Sequence, residues 1–194
     1  MSSRTFLSSA LAVMLLTATA TQALPAKQAK TCSWVGLPDL AHISEANPDV
    51  NGGIDTYSFD VSREAGSGTK TVANDLLVNF FYDIGAHPTC SLAFNFEQTE
   101  LVPDASGDTH ISIFNTDYTD TDHFSDGFTW NTAPAKGSLV GSVQFPVNET
   151  FGEKVVGQVD CAANTFRVAT KSLTKIGEVS FGERYNWGLR LYAC

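Results

Sequence analysis

The side chains most suggestive of chemistry lie between residues 117 and 126, where four carboxylates fall close together: Asp117, Asp120, Asp122 and Asp126. Carboxylate oxygens grouped on loops are ligands that Ca²⁺ prefers. The spacing departs from that of an EF-hand loop, because Phe124 stands where a ligand is needed and no glutamate closes the loop. Calcium sites in β-sandwiches use irregular spacing, so the four residues form a candidate calcium site. The alternative is a solvated acidic loop that discourages pairing between sheet edges.

Catalysis by carboxylates is the second chemistry that this region suggests. A glycosidase needs two carboxyl groups about 5–10 Å apart across a sugar. Four residues have the right chemistry, although their spacing pairs none of them: Glu97, Glu100, Asp117 and Asp122. The sequence contains neither a G-x-S-x-G nor an H-E-x-x-H motif, and its four histidines are scattered singly. We therefore favour a protein that is not an enzyme and keep a small hydrolase or lyase using the acidic-loop carboxylates as the alternative.

Sugar binding is the third chemistry, since it needs aromatic rings beside groups that hydrogen-bond to hydroxyls. Trp130, Tyr118 and Asn131 combine these features in one short stretch and are the candidate ligand-binding residues. The alternative for each ring is a buried position in the core, which is the common place for aromatic side chains.

The elements that must position these residues are short strands. Apolar residues alternate at period two, or run continuously, in nine stretches separated by turn residues such as Gly66–Gly68 and Asp104–Asp108. The nine stretches are 54–62, 76–82, 91–96, 110–114, 138–145, 154–159, 165–169, 176–181 and 187–192. Repeated strands without a convincing helix predict an all-β fold, an antiparallel β-sandwich of jelly-roll-like form, over residues 54–194.

Residues 24–53 have a different composition. Pro25, Pro38 and Pro48 interrupt any periodic pattern, and small polar residues fill the gaps between them. We expect an irregular N-terminal arm over 24–53, in which Ala41–Glu45 is compatible with one helical turn.

The first 23 residues have the form of a secretory signal peptide. Arg4 is their only charge, an apolar run follows over residues 6–16, and small residues lead to cleavage after Ala20 or Ala23. We therefore expect a secreted protein that lies outside the cell or in the cell wall.

The cysteines fit an oxidising compartment. The chain has four, all beyond the signal: Cys32, Cys90, Cys161 and Cys194. Two disulfides are the expectation, and three connectivities are open, among which we favour Cys32–Cys194 with Cys90–Cys161. Asn148 begins the sequon Asn-Glu-Thr and is the expected glycosylation site.

The charge balance limits the partners. The formal net charge is −9, and removal of the signal peptide with Arg4 makes it more negative. An acidic surface repels phosphate backbones and anionic lipid, so we expect neither nucleic acid nor membrane as a partner. We expect a monomer that needs no cofactor apart from the candidate calcium ion and that binds an extracellular glycan or protein.

Three cysteine-linked strand motifs resemble a known family. These are Cys90–Phe96, Gly157–Cys161 and Gly188–Cys194, and they resemble elements of the fungal secreted family called ubiquitin 3 binding protein, C-terminal domain. The resemblance covers roughly residues 54–194 and departs from the family where Glu97 replaces a proline. The family is largely uncharacterised, so the resemblance implies a fungal secreted domain and no particular activity.

A shorter motif resembles another group of extracellular proteins. The stretch Phe128–Pro134 is similar to the T-W-N-x-x-P turn of β-sandwich modules attached to enzymes that act on extracellular polysaccharides. Taken together, these observations predict a secreted, non-catalytic extracellular or cell-wall interaction module whose ligand is a glycan or a protein, and the T-W-N-x-x-P resemblance favours a glycan. The alternatives are the small hydrolase or lyase, and a secreted effector that binds a host protein.

Overall fold

Alternation of apolar and polar side chains folds the chain into strands, and the described residues contain no helix. The computed structural model describes residues 32–81, 89–96, 103–118, 123–147, 149, 151–162, 165–184 and 188–193. The strands are β1 (Ser33–Val35), β2 (Asp39–Ser44), β3 (Ile54–Asp55), β4 (Ser58–Ala65), β5 (Thr71–Asn79), β6 (Cys90–Asn95), β7 (Asp104–Gly107), β8 (His110–Asn115), β9 (Leu139–Gln144), β10 (Lys154–Val159), β11 (Thr165–Thr170), β12 (Gly177–Gly182) and β13 (Gly188–Ala193).

Two antiparallel sheets form the architecture. The smaller sheet has the order β1-β13-β6-β10. The larger sheet has the order β7-β12-β4-β5-β11-β8-β9, with β2 also paired to β5 and β3 paired to β2. The larger sheet curls into half a barrel. The prediction of an all-β antiparallel sandwich is therefore confirmed.

Phenylalanine side chains fill the core between the two sheets. Phe94 of the smaller sheet meets Phe59 edge to face at 5.7 Å between ring centroids, and Phe145 at 5.0 Å. Phe59 in turn stacks on Phe181 at 4.3 Å. Edge-to-face and offset pairs of this kind add about 0.5–1.5 kcal/mol each to the free energy of burial, so this aromatic cluster ties the two sheets together.

All nine predicted strands overlap observed ones, but three further elements differ from the sequence prediction. Ser33–Val35, predicted as part of the irregular arm, forms β1 at an edge of the smaller sheet. Residues 39–44, where Ala41–Glu45 was compatible with a helical turn, form β2 instead. Leu40 packs in the main core, whereas Ala41 and Ile43 pack on the opposite face, so β2 lacks the polar-apolar alternation of a half-buried strand. Asp104–Gly107, predicted as a turn, forms the short strand β7 at an edge of the larger sheet.

A second apolar cluster covers the outer face of the larger sheet. Ala41, Ile43 and Leu77 lie buried there together with Phe124. Residues from the segment 118–133 pack on them, half-buried: Tyr118, Phe128, Trp130 and Ala133. The cluster explains why β5 is apolar on both faces, since Leu76 and Val78 face the main core while Leu77 faces this segment.

One predicted disulfide is confirmed. Cys90 at the start of β6 is bonded to Cys161, which follows β10, with their Cα atoms 5.0 Å apart. Cys32 is also disulfide-bonded. Its predicted partner, Cys194, lies outside the described residues, as do the predicted signal peptide and the sequon residue Asn148.

A buried ion pair fixes the start of β13. The carboxylate of Glu183 accepts a hydrogen bond from the backbone N–H of Leu189 at 2.7 Å and contacts Nη1 of Arg190 at 2.8 Å. Both side chains are almost completely buried. Gly188 has a φ of +116°, and a Cβ at this position would overlap the Glu183 carboxylate, so only glycine fits beside the pair.

The described residues belong to one compact unit that runs from Thr31 to Cys194. The part of the chain that the structure describes holds no helical segment with the length and hydropathy of a membrane span.

Candidate functional site

The predicted calcium ligands fall only partly within the structure. Asp117 and Asp126 are exposed to solvent, and Asp120 and Asp122 lie outside the described residues. Among the residues that are described, no group of three or more histidine, cysteine, aspartate or glutamate side chains is placed to hold a metal ion. Calcium binding by this loop therefore stays a prediction. Glu97 and Glu100, nominated for catalysis, also lie outside the described residues.

Trp130 covers a buried ion group on the outer face of the larger sheet. Its ring lies over the guanidinium of Arg167, 4.7 Å from carbon to ring centroid. Arg167 Nε donates to Asp75 Oδ2 at 2.9 Å, and Lys136 Nζ lies 2.8 Å from the same oxygen. Arg167 also donates to the carbonyl oxygen of Pro134. Trp130 therefore helps hold its own segment on the sheet, which is a structural role.

Tyr118 and Asn131 also contact other parts of the protein. The Tyr118 ring lies 5.8 Å from that of Phe124 and 5.5 Å from that of Phe128, both within the outer cluster. Asn131 is exposed, and its Nδ2 donates to Asp49 Oδ1 at 2.8 Å. This bond ties the Trp130 turn to the segment between β2 and β3. Ligand binding by Trp130, Tyr118 and Asn131 stays a prediction.

A pocket lies on another part of the larger sheet. Its lining includes polar side chains that the pairing of neighbouring strands places in one row. Ser62 of β4 is opposite Glu178 of β12 on one side and opposite Asn74 of β5 on the other. Asn74 is in turn opposite Ser44 of β2. Paired residues of antiparallel strands lie side by side, so four neighbouring strands present one polar row.

The row lines an open pocket of about 340 Å³, which we call the polar pocket. Asp60 and Glu64 lie two residues on either side of Ser62 and therefore on the same face of β4. The other contributors include His42 on β2 and Asn47 and Val50 between β2 and β3. The pocket thus combines three carboxylates with amide, hydroxyl and imidazole groups.

Hydrogen bonds fix part of this lining. Asn74 Nδ2 donates to Ser62 Oγ at 2.9 Å and to Glu64 Oε1 at 2.8 Å. Ser62 Oγ donates to the same Glu64 oxygen at 3.3 Å. Glu64 is therefore held in place by two neighbouring strands, which prepares its carboxylate for a ligand without a large loss of side-chain entropy.

Two of the three carboxyl groups are harder to ionise than usual. Burial raises the pKa of Asp60 above 3.8, His42 opposes this shift, and the charge of Glu64 adds to it. Burial also raises the pKa of Glu178 above 4.5, with further contributions from Asp60, Asp104 and Glu64. The like charges repel each other, and the pocket favours ligands that donate hydrogen bonds to these oxygens.

These shifts give a prediction for NMR titration of the carboxyl carbons. The midpoint of Asp60 should lie above 3.8 and that of Glu178 above 4.5. Glu64→Gln should lower both midpoints, because it removes a negative charge that raises each pKa. Asp108 is the internal control, since a hydrogen bond from His110 lowers its pKa below 3.8 and Glu64 does not contribute to that shift. Midpoints of Asp60 and Glu178 at the ordinary values would contradict the electrostatic description of the pocket.

The sequence prediction missed these pocket residues. The only local signal is the alternation of Asp60, Ser62 and Glu64 along β4, which an exposed strand face also shows. Glu178 is far away in sequence and reaches the site only through the pairing of β12 with β4.

No family model matches the chain, and no curated protein is significantly similar to it in sequence. The fold and the bonded cysteines define a disulfide-linked antiparallel β-sandwich with a polar pocket on its larger sheet. The resemblance to the fungal secreted family stays a prediction.

Proposed function

We propose that the protein is a secreted, non-catalytic interaction module that binds an extracellular glycan in the polar pocket. The observation that carries the proposal is the polar row of Glu178, Ser62, Asn74 and Ser44 across four strands at an open pocket. Sugar hydroxyls donate to carboxylates and exchange hydrogen bonds with amides and hydroxyls, so this lining matches a carbohydrate.

The shape and composition of the pocket support the same proposal. Its volume of about 340 Å³ lies in the range of roughly 300–1,000 Å³ typical of sites for small molecules. Val50 is exposed and adds apolar atoms to the lining, against which the C–H groups of a sugar ring can pack. The site is built mainly on strands, which hold binding groups more rigidly than loops do.

Export is the second part of the proposal. The signal-like first 23 residues support it, and the Cys90–Cys161 disulfide is compatible with an oxidising compartment. A ligand in the cell wall or outside the cell follows from export, and the resemblance of Phe128–Pro134 to turns in polysaccharide-associated modules favours a glycan.

Sedimentation with insoluble polysaccharides tests the proposal. The mature protein should be retained by at least one polymer among chitin, β-glucan and cellulose. The double variant Glu64→Gln/Glu178→Gln should bind the same polymer at least about tenfold more weakly, because it loses two charged hydrogen-bond acceptors. Glu153→Gln, an exposed carboxylate outside the pocket, is the control and should bind as the wild type does.

Three results would contradict the proposal. Retention on none of the polymers would overturn the choice of a neutral glycan. Unchanged retention of the double variant would overturn the choice of pocket. Recovery of a protein partner that binds the wild type and the double variant equally would favour the secreted effector.

Hydrolysis is a second candidate function, and the raised pKa values of Asp60 and Glu178 favour it. A carboxyl group that stays protonated longer than usual is what a glycosidase uses as its general acid. The test is to incubate the protein with soluble fragments of the retained polymer and to measure new reducing ends. Product that disappears in Glu178→Gln would favour an enzyme, and the absence of product would favour the binding module.

A further inference from the structure

Basic side chains share the lining of a second site on the larger sheet, although the chain has a net charge of −9. Two adjoining pockets of about 300 and 310 Å³ share Asp108, His110 and Lys175. Lys171 also lines the first of them. We call the two together the basic pocket. It lies between the β7–β8 connection and the β11–β12 connection of the larger sheet.

Backbone hydrogen bonds hold the two connections together. The Lys171 N–H donates to the carbonyl oxygen of His110 at 2.8 Å, and the Asp108 N–H donates to that of Ile176 at 2.9 Å. Ser172 Oγ accepts from the backbone N–H of Lys175 at 2.9 Å. The backbone that carries the two lysines is therefore fixed relative to His110.

The histidine is oriented by its neighbour. Asp108 Oδ1 lies 2.9 Å from Nδ1 of His110 and also accepts from the His110 backbone N–H at 3.3 Å. The carboxylate thus takes the Nδ1 side of the ring, and Nε2 is the nitrogen left for other contacts. The hydrogen bond from the His110 side chain lowers the pKa of Asp108, so this carboxylate stays ionised in mildly acidic solution.

The charges of the pocket favour an anion. The titratable groups in its lining are Asp108, His110, Lys171 and Lys175. The two lysines outweigh the one aspartate, so the net charge of the lining is positive. A positive pocket in an acidic protein attracts anions that the rest of the surface repels.

We propose that the basic pocket binds the carboxylate of a uronic acid unit in an extracellular oligosaccharide. Lysine is a compact point charge on a flexible stem, so two lysines can pair with a carboxylate held between them. Gln144 and Ser172 lie in the same lining and are hydrogen-bonding groups for neighbouring hydroxyls of the sugar. The glycan nature of the ligand rests on the proposed function, whereas the anionic group follows from the charges of this pocket.

Calorimetric titration with a defined oligogalacturonate tests this assignment. The wild type should bind it, and Lys171→Ala/Lys175→Ala should bind at least about tenfold more weakly, because two charge-assisted contacts are lost. Both lysines are exposed, so the variant should fold normally. The matched control Lys70→Ala/Lys154→Ala removes the same charge from exposed positions outside the pocket and should bind as the wild type does. Added salt should weaken binding.

The other outcomes overturn the assignment in distinct ways. Failure of the wild type to bind oligogalacturonate, or equal binding by the Lys171→Ala/Lys175→Ala variant, would show that this pocket does not take uronate. Inorganic phosphate that binds more tightly than the oligosaccharide, with loss in the same variant, would assign the pocket to a free anion instead. The two sites are separable, because retention on neutral polymers depends on Glu64 and Glu178, whereas uronate binding depends on the two lysines.

Discussion

Removal of the Cys90–Cys161 disulfide by Cys161→Ala should lower the free energy of unfolding by about 4 kcal/mol. The bond joins residues 71 positions apart, and a loop of that length loses considerable chain entropy in the unfolded state when it is closed. Both cysteines are buried, so the variant also loses packing between β6 and the turn after β10. Denaturant unfolding measures the loss, and titration of thiols under unfolding conditions should find the newly free thiol of Cys90.

The double variant Cys90→Ala/Cys161→Ala is the control for this experiment. It should lose a similar amount of stability and show no new thiol, which separates the effect of the missing bond from that of the free Cys90 thiol. An unchanged unfolding midpoint in Cys161→Ala, with no thiol gained, would contradict the disulfide and its energetic role.

Glu183→Gln should remove a pH dependence of stability worth about 3 kcal/mol. Burial raises the pKa of Glu183 from 4.5 to about 7, with Arg190 and the Leu189 N–H opposing the shift. The folded state thus holds the proton more tightly than the unfolded state does. The stabilisation is complete below 4.5, the unfolded value, and is lost as the pH rises through about 7.

The comparison with glutamine isolates this single group. The wild type should lose stability between about pH 5 and pH 8, and Glu183→Gln should lack that part of the loss. A glutamine keeps the shape and, like the protonated glutamate, directs one donor group at either Arg190 or the Leu189 N–H. The variant should therefore have a stability close to that of the wild type at low pH and should be the more stable of the two at high pH, where the wild type has lost the contribution of the bound proton.

Denaturant unfolding at several pH values checks this expectation. Glu153→Gln, an exposed carboxylate, is the matched control and should follow the wild-type pH dependence. Parallel pH profiles for the wild type and Glu183→Gln would contradict the raised pKa of Glu183.

The strands were largely predictable because half-buried strands leave a period-two pattern in the sequence. β6 shows this in Leu92 and Phe94, both of which face the core. β2 escaped because its buried residues lie on both faces, so they do not alternate, while His42 and Ser44 break the continuous apolar run that revealed β5. β7 escaped because Asp104–Gly107 has the composition of a turn, and pairing with β12 overrides that local preference.

The candidate site was much less predictable. The carboxylates of the acidic loop are close in sequence, but Asp117 and Asp126 are exposed. The carboxylates of the polar pocket come from β4 and β12, and only the sheet register brings Asp60 and Glu178 together. The spacing of residues within one segment gives no information about a partner that is more than a hundred residues away in sequence. The site could therefore be identified only from the pairing of the strands.

The pairing of β1 with β13 has a consequence for the order in which the protein assembles. A ribosome or translocation pore releases the N-terminal part of the chain first, so β1 emerges before β13. β1 therefore stays unpaired until β13, which pairs with both β1 and β6, has also emerged. Such distant pairing closes a long loop and slows folding. Until residue 193 has emerged, β1 and one edge of β6 lack their strand neighbour and present open backbone groups. Unpaired strand edges favour aggregation, so we expect chaperones to be of use to nascent chains at that stage.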